Sequence, residues 1–460
     1  MKTFDLNIVR ILENWDLSHA LREIIANALD EAIITGTKKP EIYKHDNHWI
    51  VRDFGRGIKQ EHLLQNENSE KKDHPHVIGQ YGIGLKDALA TFDREGVSVT
   101  LKSRHGDICL QTHAKHNFEL IRTLHANISL PSMPGVEGTT VTFSNLPDEV
   151  VAKAKEMFLI FSGETPIEST KHGEVYKRKD HGGAIYVNGL LVSHEPNFLF
   201  SYNITSINSA LRKGMNRERQ SLGRSSYAGR IKDILLEASS DQIVEELIQQ
   251  IQILSSGASK DEASWIDVQQ RAVKLLSAKS NVVFVDAKEL ENSPNVVDLI
   301  KSSGKSIVCV PESLNKKIER DLDCEGNPVT GLKEFIANYN SSFEFDWVLP
   351  EMMSQAERDV WNLLPEIEQM YGGRPAQVRQ VKITRTMCAS GDPSDALGLW
   401  VQPHGLVVIR RDQLRSVQDF AGTIIHEFVH AETGFGDVSR NFEIYLTKKL
   451  GRLASLVLKK

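Results

Sequence analysis

The chain has 460 residues, 40% hydrophobic and 25% charged, with a formal net charge of −6. That length is too great for one compact core and calls for three or four domains of ordinary globular composition. The mild acidity gives no global pull toward nucleic acid or an anionic membrane, and four scattered cysteines make neither a disulfide framework nor a cysteine-based zinc knuckle.

Met1-Lys2-Thr3-Phe4-Asp5 leads into an expected amphipathic, charged helix and lacks the apolar run of a signal peptide. No segment has the uninterrupted apolar length of a membrane-spanning helix, so a cytoplasmic protein is expected. Apolar residues recur at helical spacing from Leu17 to Ile34, and Thr35-Gly36-Thr37 stops the run. Glu41 to Arg52 reads as two strands around His45-Asp46-Asn47, and Lys59 to Pro75 as a polar loop. Strands are expected at Val97 to Lys102 and Gly138 to Phe143, then a helix from Glu149 to Phe161. Ala184 to Val187, Asn188-Gly189 and Leu190 to Val192 form a hairpin signal. A long helix from Ile231 to Leu254 and a linker at Ser255 to Ser259 follow. Asn281 to Val285, Val296 to Lys301 and Ser306 to Val310 read as a strand–helix–strand parallel unit without phosphate-binding glycines. A last domain starts near Phe343, with strands at Val381 to Thr384 and Gly405 to Ile409 and a final helix from Ser439 to Leu458.

Two stretches carry chemistry. Near the N-terminus, four elements occur in order. Glu23 and Asn27 share one helix face, with Asp30 one turn on. Asp53-Phe54-Gly55-Arg56-Gly57 is an acid followed by glycines that let a ligand approach the backbone. Gly79-Gln80-Tyr81-Gly82-Ile83-Gly84-Leu85-Lys86 is a glycine-rich turn entering a helix, whose first amides can receive phosphate oxygens. Gly138-Thr139-Thr140-Val141-Thr142 is a strand bearing hydroxyls.

This set resembles the GHKL ATPase superfamily of gyrase, the large heat-shock chaperones, histidine kinases and MutL, and looks most like the MORC and MutL branches. The resemblance covers about the first third of the chain. It implies that Asn27 ligates magnesium, that Glu23 polarises the attacking water, and that Asp53, aided by Thr139, accepts from the adenine amino group. It also implies that Gly79, Gly82 and Gly84 wrap the phosphates under a lid from Lys59 to Ile78, with Asp30, Gly55, Gly57 and Lys86 in the same nucleotide site. The second domain resembles the transducer domain that follows this ATPase, with Lys213 as the lysine directed at the terminal phosphate. A solvated basic loop is an equal reading of the Lys213 segment, and no interleaved aromatic residues point to nucleic acid there.

The second stretch is His426-Glu427-Phe428-Val429-His430. Histidines at i and i+4 on a helix can grip one zinc ion, and the glutamate between them can take a proton from the attacking water. Such hydrolases need a third protein ligand. Glu443, on the next helix, resembles the glutamate of gluzincin peptidases and is the expected one; Asp437, which also suits an N-cap, is the competitor. Gly398 to Val401 with Gly405 to Ile409 looks like the hairpin whose edge strand holds a peptide in zincins.

The expected fold class is therefore α+β and multidomain. It comprises a GHKL α/β sandwich over 1–147, a transducer-like α/β domain over 148–256, a small α/β connector over 257–340 and a zincin-like domain over 341–460. The expected activity is that of a zinc peptidase gated by ATP and Mg2+, acting on a protein or peptide and dimerising on ATP, by analogy with prokaryotic antiviral defence or stress effectors. The rivals are an ATP-driven dimeric clamp or chaperone with a structural metal domain, and a nucleic-acid-dependent ATPase.

Overall fold

A computed structural model describes residues 2–6, 15–63, 71, 74, 76–78, 84–115, 118–179, 182–214, 222–254, 257–292, 294–341, 344–387, 397–437 and 439–458. The protein is mixed α/β and packs as two compact units. One contains Met1–Gln250 with Ala258–Arg271, the other Ile251–Gly257 with Ala272–Lys460.

The first unit opens with seven strands: β1 (Lys2–Asp5), β2 (Glu41–His45), β3 (His48–Arg52), β4 (Ser98–Ser103), β5 (Gly106–Lys115), β6 (Phe118–Ser129) and β7 (Thr139–Ser144). They form an antiparallel sheet in the order β1-β6-β5-β4-β7-β3-β2. Asp46 and Asn47 turn the β2–β3 hairpin with φ of 45° and 63°, the two left-handed residues that a tight twisted hairpin requires. The Leu17–Thr35 helix starts on an Asp16–His19 capping box and stops at Gly36, left-handed at φ 65°. Its Leu21, Ile24 and Ile25 join Phe92 of the Gly84–Arg94 helix and Phe143 of β7 in one core.

The Asp148–Glu156 helix is shorter than expected, and Leu159–Phe161 is a separate 3₁₀ turn. The chain extends at buried Phe158 because Leu159 N donates to Gly189 O (2.8 Å) and Leu191 N donates to Met157 O (2.8 Å), docking it on a hairpin. That hairpin belongs to a second sheet of β8 (Glu168–Ser169), β9 (Gly173–Lys177), β10 (Gly183–Val187), β11 (Leu190–Glu195) and β12 (Phe200–Ile204), ordered β11-β10-β12-β9-β8. The single long helix expected from Ile231 is instead two, Arg224–Glu237 and Asp241–Gln252. Glu168 accepts the amides of Ser239 and Ser240 at 2.8–3.0 Å, replacing helix hydrogen bonds at the break.

In the second unit β13 (Val282–Val285) and β14 (Ser306–Cys309) pair in parallel around the Pro294–Ser302 helix. A four-stranded sheet follows: β15 (Trp347–Val348), β16 (Gln380–Thr384), β17 (Gly398–Val401) and β18 (Leu406–Arg410), ordered β15-β16-β18-β17, which leaves β17 at the edge. Val407 and Ile409 of β18 pack on Phe420, Ile424 and Phe428 of the Val417–Thr433 helix, and Phe442 of the Arg440–Leu458 helix closes the core. Among the described residues no helix is long and apolar enough to cross a membrane.

Candidate functional sites

In the N-terminal sheet domain the Leu17–Thr35 helix buries Glu23 and Asp30 and leaves Asn27 half-buried. Arg22 Nη2 donates to Glu23 Oε1 at 3.0 Å, so this carboxylate carries a counter-ion in the core. Glu23 also lies against the first residue of the Gly84–Arg94 helix: a Cβ on Gly84 would stand 2.4 Å from Glu23 Oε2. A larger residue there would have to push the Glu23 carboxylate aside, and the close approach brings the first and third sequence elements together. One turn on, Lys71 Nζ donates to Asn27 Oδ1 (3.0 Å) and Asp30 Oδ2 (3.1 Å), while Asp30 Oδ1 accepts Ile78 N (2.6 Å). Asn27 and Asp30 thus aim two oxygens at one cationic position, which here is an ammonium. Lys71 was not singled out by sequence, because a lysine in a polar loop carries no spacing signal.

Asp53, at the end of β3, is buried beside β7. Its Oδ1 accepts Gly55 N (3.0 Å) and Thr139 N (3.1 Å), while burial raises its carboxyl above the ordinary value. A Cβ on Gly138, at φ 88°, would meet Asp53 O at 2.0 Å, and one on Gly55 would meet Glu31 Cγ at 2.3 Å. Gly57 has φ 83°, so it too has a conformational reason to be glycine. The second and fourth elements are therefore adjacent, joined further by Ile58 N donating to Thr139 Oγ1 at 3.0 Å. Lys86 sits half-buried on the first turn of its helix. Gly79, Gly82, most of the expected lid and the side chain of Lys213 lie outside the described residues.

The second site lies in the last sheet domain. The Val417–Thr433 helix begins with Ser416 Oγ accepting Asp419 N and ends at Gly434, left-handed at φ 69°. Past Gly434 the chain turns back over the helix and delivers Asp437 to both histidines. Asp437 Oδ1 is 2.8 Å from His426 Nε2 and 2.8 Å from His430 Nε2, and the two Nε2 atoms are 3.1 Å apart. His430 Nδ1 donates to Phe435 O at 2.7 Å, which fixes the tautomer with the Nε2 lone pair facing the others. Burial lowers His426 below the ordinary imidazole value, favouring its neutral, ligating form. Asp437 stays below the ordinary carboxylate range: burial opposes this, and the two imidazoles beside it prevail.

Glu443, expected as the third ligand, does not reach this cluster. It stands exposed on the Arg440–Leu458 helix. The inward residue is Phe442, whose ring lies 4.4 Å from that of His430 and 4.8 Å from that of His426. Adjacent helical residues point about 100° apart, so burying Phe442 turns Glu443 away.

Glu427 is buried on the neighbouring face of the helix, against the edge strand. The Trp400 amide donates to its carboxylate, and a Cβ on Gly398 would lie 2.7 Å from its Oε1. Burial, with a smaller effect of the Asp437 charge, pushes Glu427 up to about 8. The cluster and Glu427 line an open cleft of about 950 Å3 that runs along β17, with Leu397, Leu399, Trp400 and Phe435 as apolar wall.

A Mycoplasma pneumoniae protein described only as uncharacterized is 37% identical over 241 residues, covering 51% of this chain and 97% of that protein. The chain belongs to its family. A second uncharacterized protein of the same organism is 23% identical over 337 residues, or 67% of this chain and 93% of that one. A family model described as the Mycoplasma pneumoniae MPN635 N-terminal domain matches residues 149–241, which spans the second sheet and the Arg224–Glu237 helix. Neither the Glu23 site nor the His426 site falls within the matched segment of that model. Among solved structures, the 43K ATPase domain of Thermus thermophilus gyrase B in complex with an aminocoumarin is 17% identical. Its TM-score is 0.21, with 38% of this chain and 61% of that one covered, a likeness too slight to bear on fold or function.

Proposed function

We propose that this protein is a zinc-dependent peptidase governed by ATP. The observation that carries the peptidase half is the convergence of His426, His430 and Asp437, whose ligand atoms lie within 4.8 Å of one another, beside a buried glutamate in an open cleft. The donor set fits zinc: two neutral imidazole nitrogens and one carboxylate oxygen, with a position left for water. Donors bound at zinc distances stand roughly 3.3 Å apart in a tetrahedron, so the spacings of 2.8–3.1 Å require only slight expansion. Bound there, zinc would supply Lewis acidity, lowering the pKa of water and polarising a carbonyl. Glu427 would accept a proton from the attacking water and deliver it to the leaving amine. Its raised pKa suits such an exchange, and the Trp400 amide keeps its carboxylate oriented. The outer edge of β17, which pairs with no other strand among the described residues and whose Trp400 amide meets Glu427, would hold an extended peptide by strand addition at its remaining polar groups.

The ATP half is supported by the packing of the four N-terminal elements: Glu23 on Gly84, Asp53 on Thr139, and two oxygens of Asn27 and Asp30 facing one cation. Asn27 would hold Mg2+, which would neutralise phosphate charge; Glu23 would orient the attacking water, and Asp53 would receive the adenine amino group. The same arrangement would suit an ATP-driven clamp. The open metal cleft favours catalysis over a purely structural metal.

The test is cleavage of a denatured-proteome peptide mixture by zinc-loaded protein, with and without ATP. Wild type is expected to cut and Glu427→Gln to lose at least about a hundredfold in rate with zinc retained, the loss typical of a missing general base. Equal cleavage by both proteins would remove Glu427 from the mechanism.

A further inference from the structure

The cleft is apolar near Glu427 but not along its whole length. At the end where β17 turns through Gln402 and Pro403 into Gly405, its lining includes Gln377 and Arg379. Arg379 is fastened there by its main chain: its N–H donates to Gly405 O at 2.7 Å, and its carbonyl accepts Arg374 Nη1 at 3.4 Å. Its aliphatic stem lies across Gly405, where a Cβ would come within 2.9 Å of Arg379 Cγ. The missing side chain, at φ 61°, is what lets the arginine cross this turn.

Four other arginines of this domain are paired with carboxylates. Arg374 pairs with Glu368 (2.7 Å), Arg385 with Asp346 (3.3 Å), Arg410 with Asp412 (2.7 Å) and Arg411 with Glu357 (2.8 Å). Arg379 has no carboxylate partner among the described residues, and it is exposed. A guanidinium is a planar fork suited to a carboxylate, and Gln377 and Gln402 line the cleft with it. Gln402 lies two residues beyond Trp400, whose amide meets Glu427, and an extended chain advances about 3.3 Å per residue.

We propose that Arg379 is a carboxylate subsite of the cleft, so that the favoured peptide presents a carboxylate two or three residues from the scissile bond, on the Gln402 side. This rests on the peptidase reading above. The carboxylate has two sources, an Asp or Glu side chain or the C-terminus of the peptide, and one binding experiment separates them.

Full-length Glu427→Gln protein, loaded with zinc, is titrated by fluorescence anisotropy with labelled nonapeptides that carry Asp or Lys across the central positions. Each peptide is made with a free and an amidated C-terminus. With Arg379 present, Asp peptides should bind about fivefold more tightly than Lys peptides, the scale of an exposed ion pair. Arg379→Glu should reverse that order with zinc content unchanged. An Asp-over-Lys preference that depends on Arg379 assigns the side chain, and an Arg379-dependent loss of affinity on amidation, with Asp and Lys peptides equal, assigns the C-terminus. Asp-to-Lys and free-to-amidated affinity ratios that are both the same in Arg379→Glu overturn the subsite. If the charge preference follows Arg379 but zinc-loaded wild type cleaves none of these peptides, the subsite stands and the peptidase reading fails. If no peptide binds, both fall.

Discussion

Glu427 sits between Thr423, Gly398 and the Trp400 amide, out of water and one helical step from the histidines. A carboxyl so placed holds its proton longer than one in solvent, and a cation on the adjacent ligands would pull it back toward the working range. At the N-terminal site the same logic separates two residues that share a helix face. Asn27 offers a neutral oxygen beside the Asp30 carboxylate, whereas Glu23 is a charge already balanced by Arg22. Asn27→Ala is therefore expected to weaken magnesium-dependent ATP binding at least tenfold, and Glu23→Ala to keep binding but lose turnover about a hundredfold. Fluorescent-nucleotide titration alongside phosphate release separates the two; equal loss of binding in both variants would contradict the assignment. The i, i+4 histidines and the Glu23–Asn27 face were legible because helical periodicity alone aligns them. That Asp437 meets both histidines while Glu443 stands exposed was not, because it depends on how the chain turns after Gly434 and on Phe442 being the buried residue of its helix.

Elements with one apolar face were readable, and elements whose limits depend on distant partners were not. β4 and β7 alternate cleanly in burial. β5 and β6 escaped notice: in β5, polar Asp107 and Thr112 stand at half-buried positions and Cys109 at an exposed one, which blurs the alternation. The break at Ser239-Ser240 depends on Glu168, some seventy residues earlier, which no local pattern reveals. In the C-terminal unit, the Gln355–Trp361 helix starts on a Ser354–Glu357 capping box, and Glu357 also takes both nitrogens of a guanidinium fork from Arg411. Arg411 first, then Ser354, holds Glu357 down at about 2, below its ordinary 4.5. The stability from this contact is therefore complete above the ordinary value and is lost as pH falls from about 4.5 through about 2. Melting temperature against pH should fall more steeply over that window in wild type than in Arg411→Gln. Parallel curves would show that the pair contributes nothing measurable.

Over the whole chain, two compact units carry two unrelated signatures, and one covalent chain is enough to link their chemistry if nucleotide binds one conformation more tightly than another. The Glu23→Ala protein, binding ATP without turning it over, is expected to form a longer-lived dimer with peptidase activity raised severalfold. Light scattering and a cleavage assay with and without ATP read the two effects. Unchanged mass and unchanged cleavage at saturating ATP would leave two independent sites and no gate. Kinship with the uncharacterized Mycoplasma pneumoniae protein that is 37% identical supplies no chemistry, so the function rests on the sites. The chemistry proposed for the C-terminal domain stands or falls with its metal centre, which metal analysis of the purified full chain reads without a substrate. The expected result is about one zinc per chain in wild type, Glu427→Gln and Glu443→Ala, with loss in His426→Ala, His430→Ala and Asp437→Ala. Zinc absent from wild type after zinc loading, or lost on Glu443→Ala and kept on Asp437→Ala, would rule out a centre held by His426, His430 and Asp437.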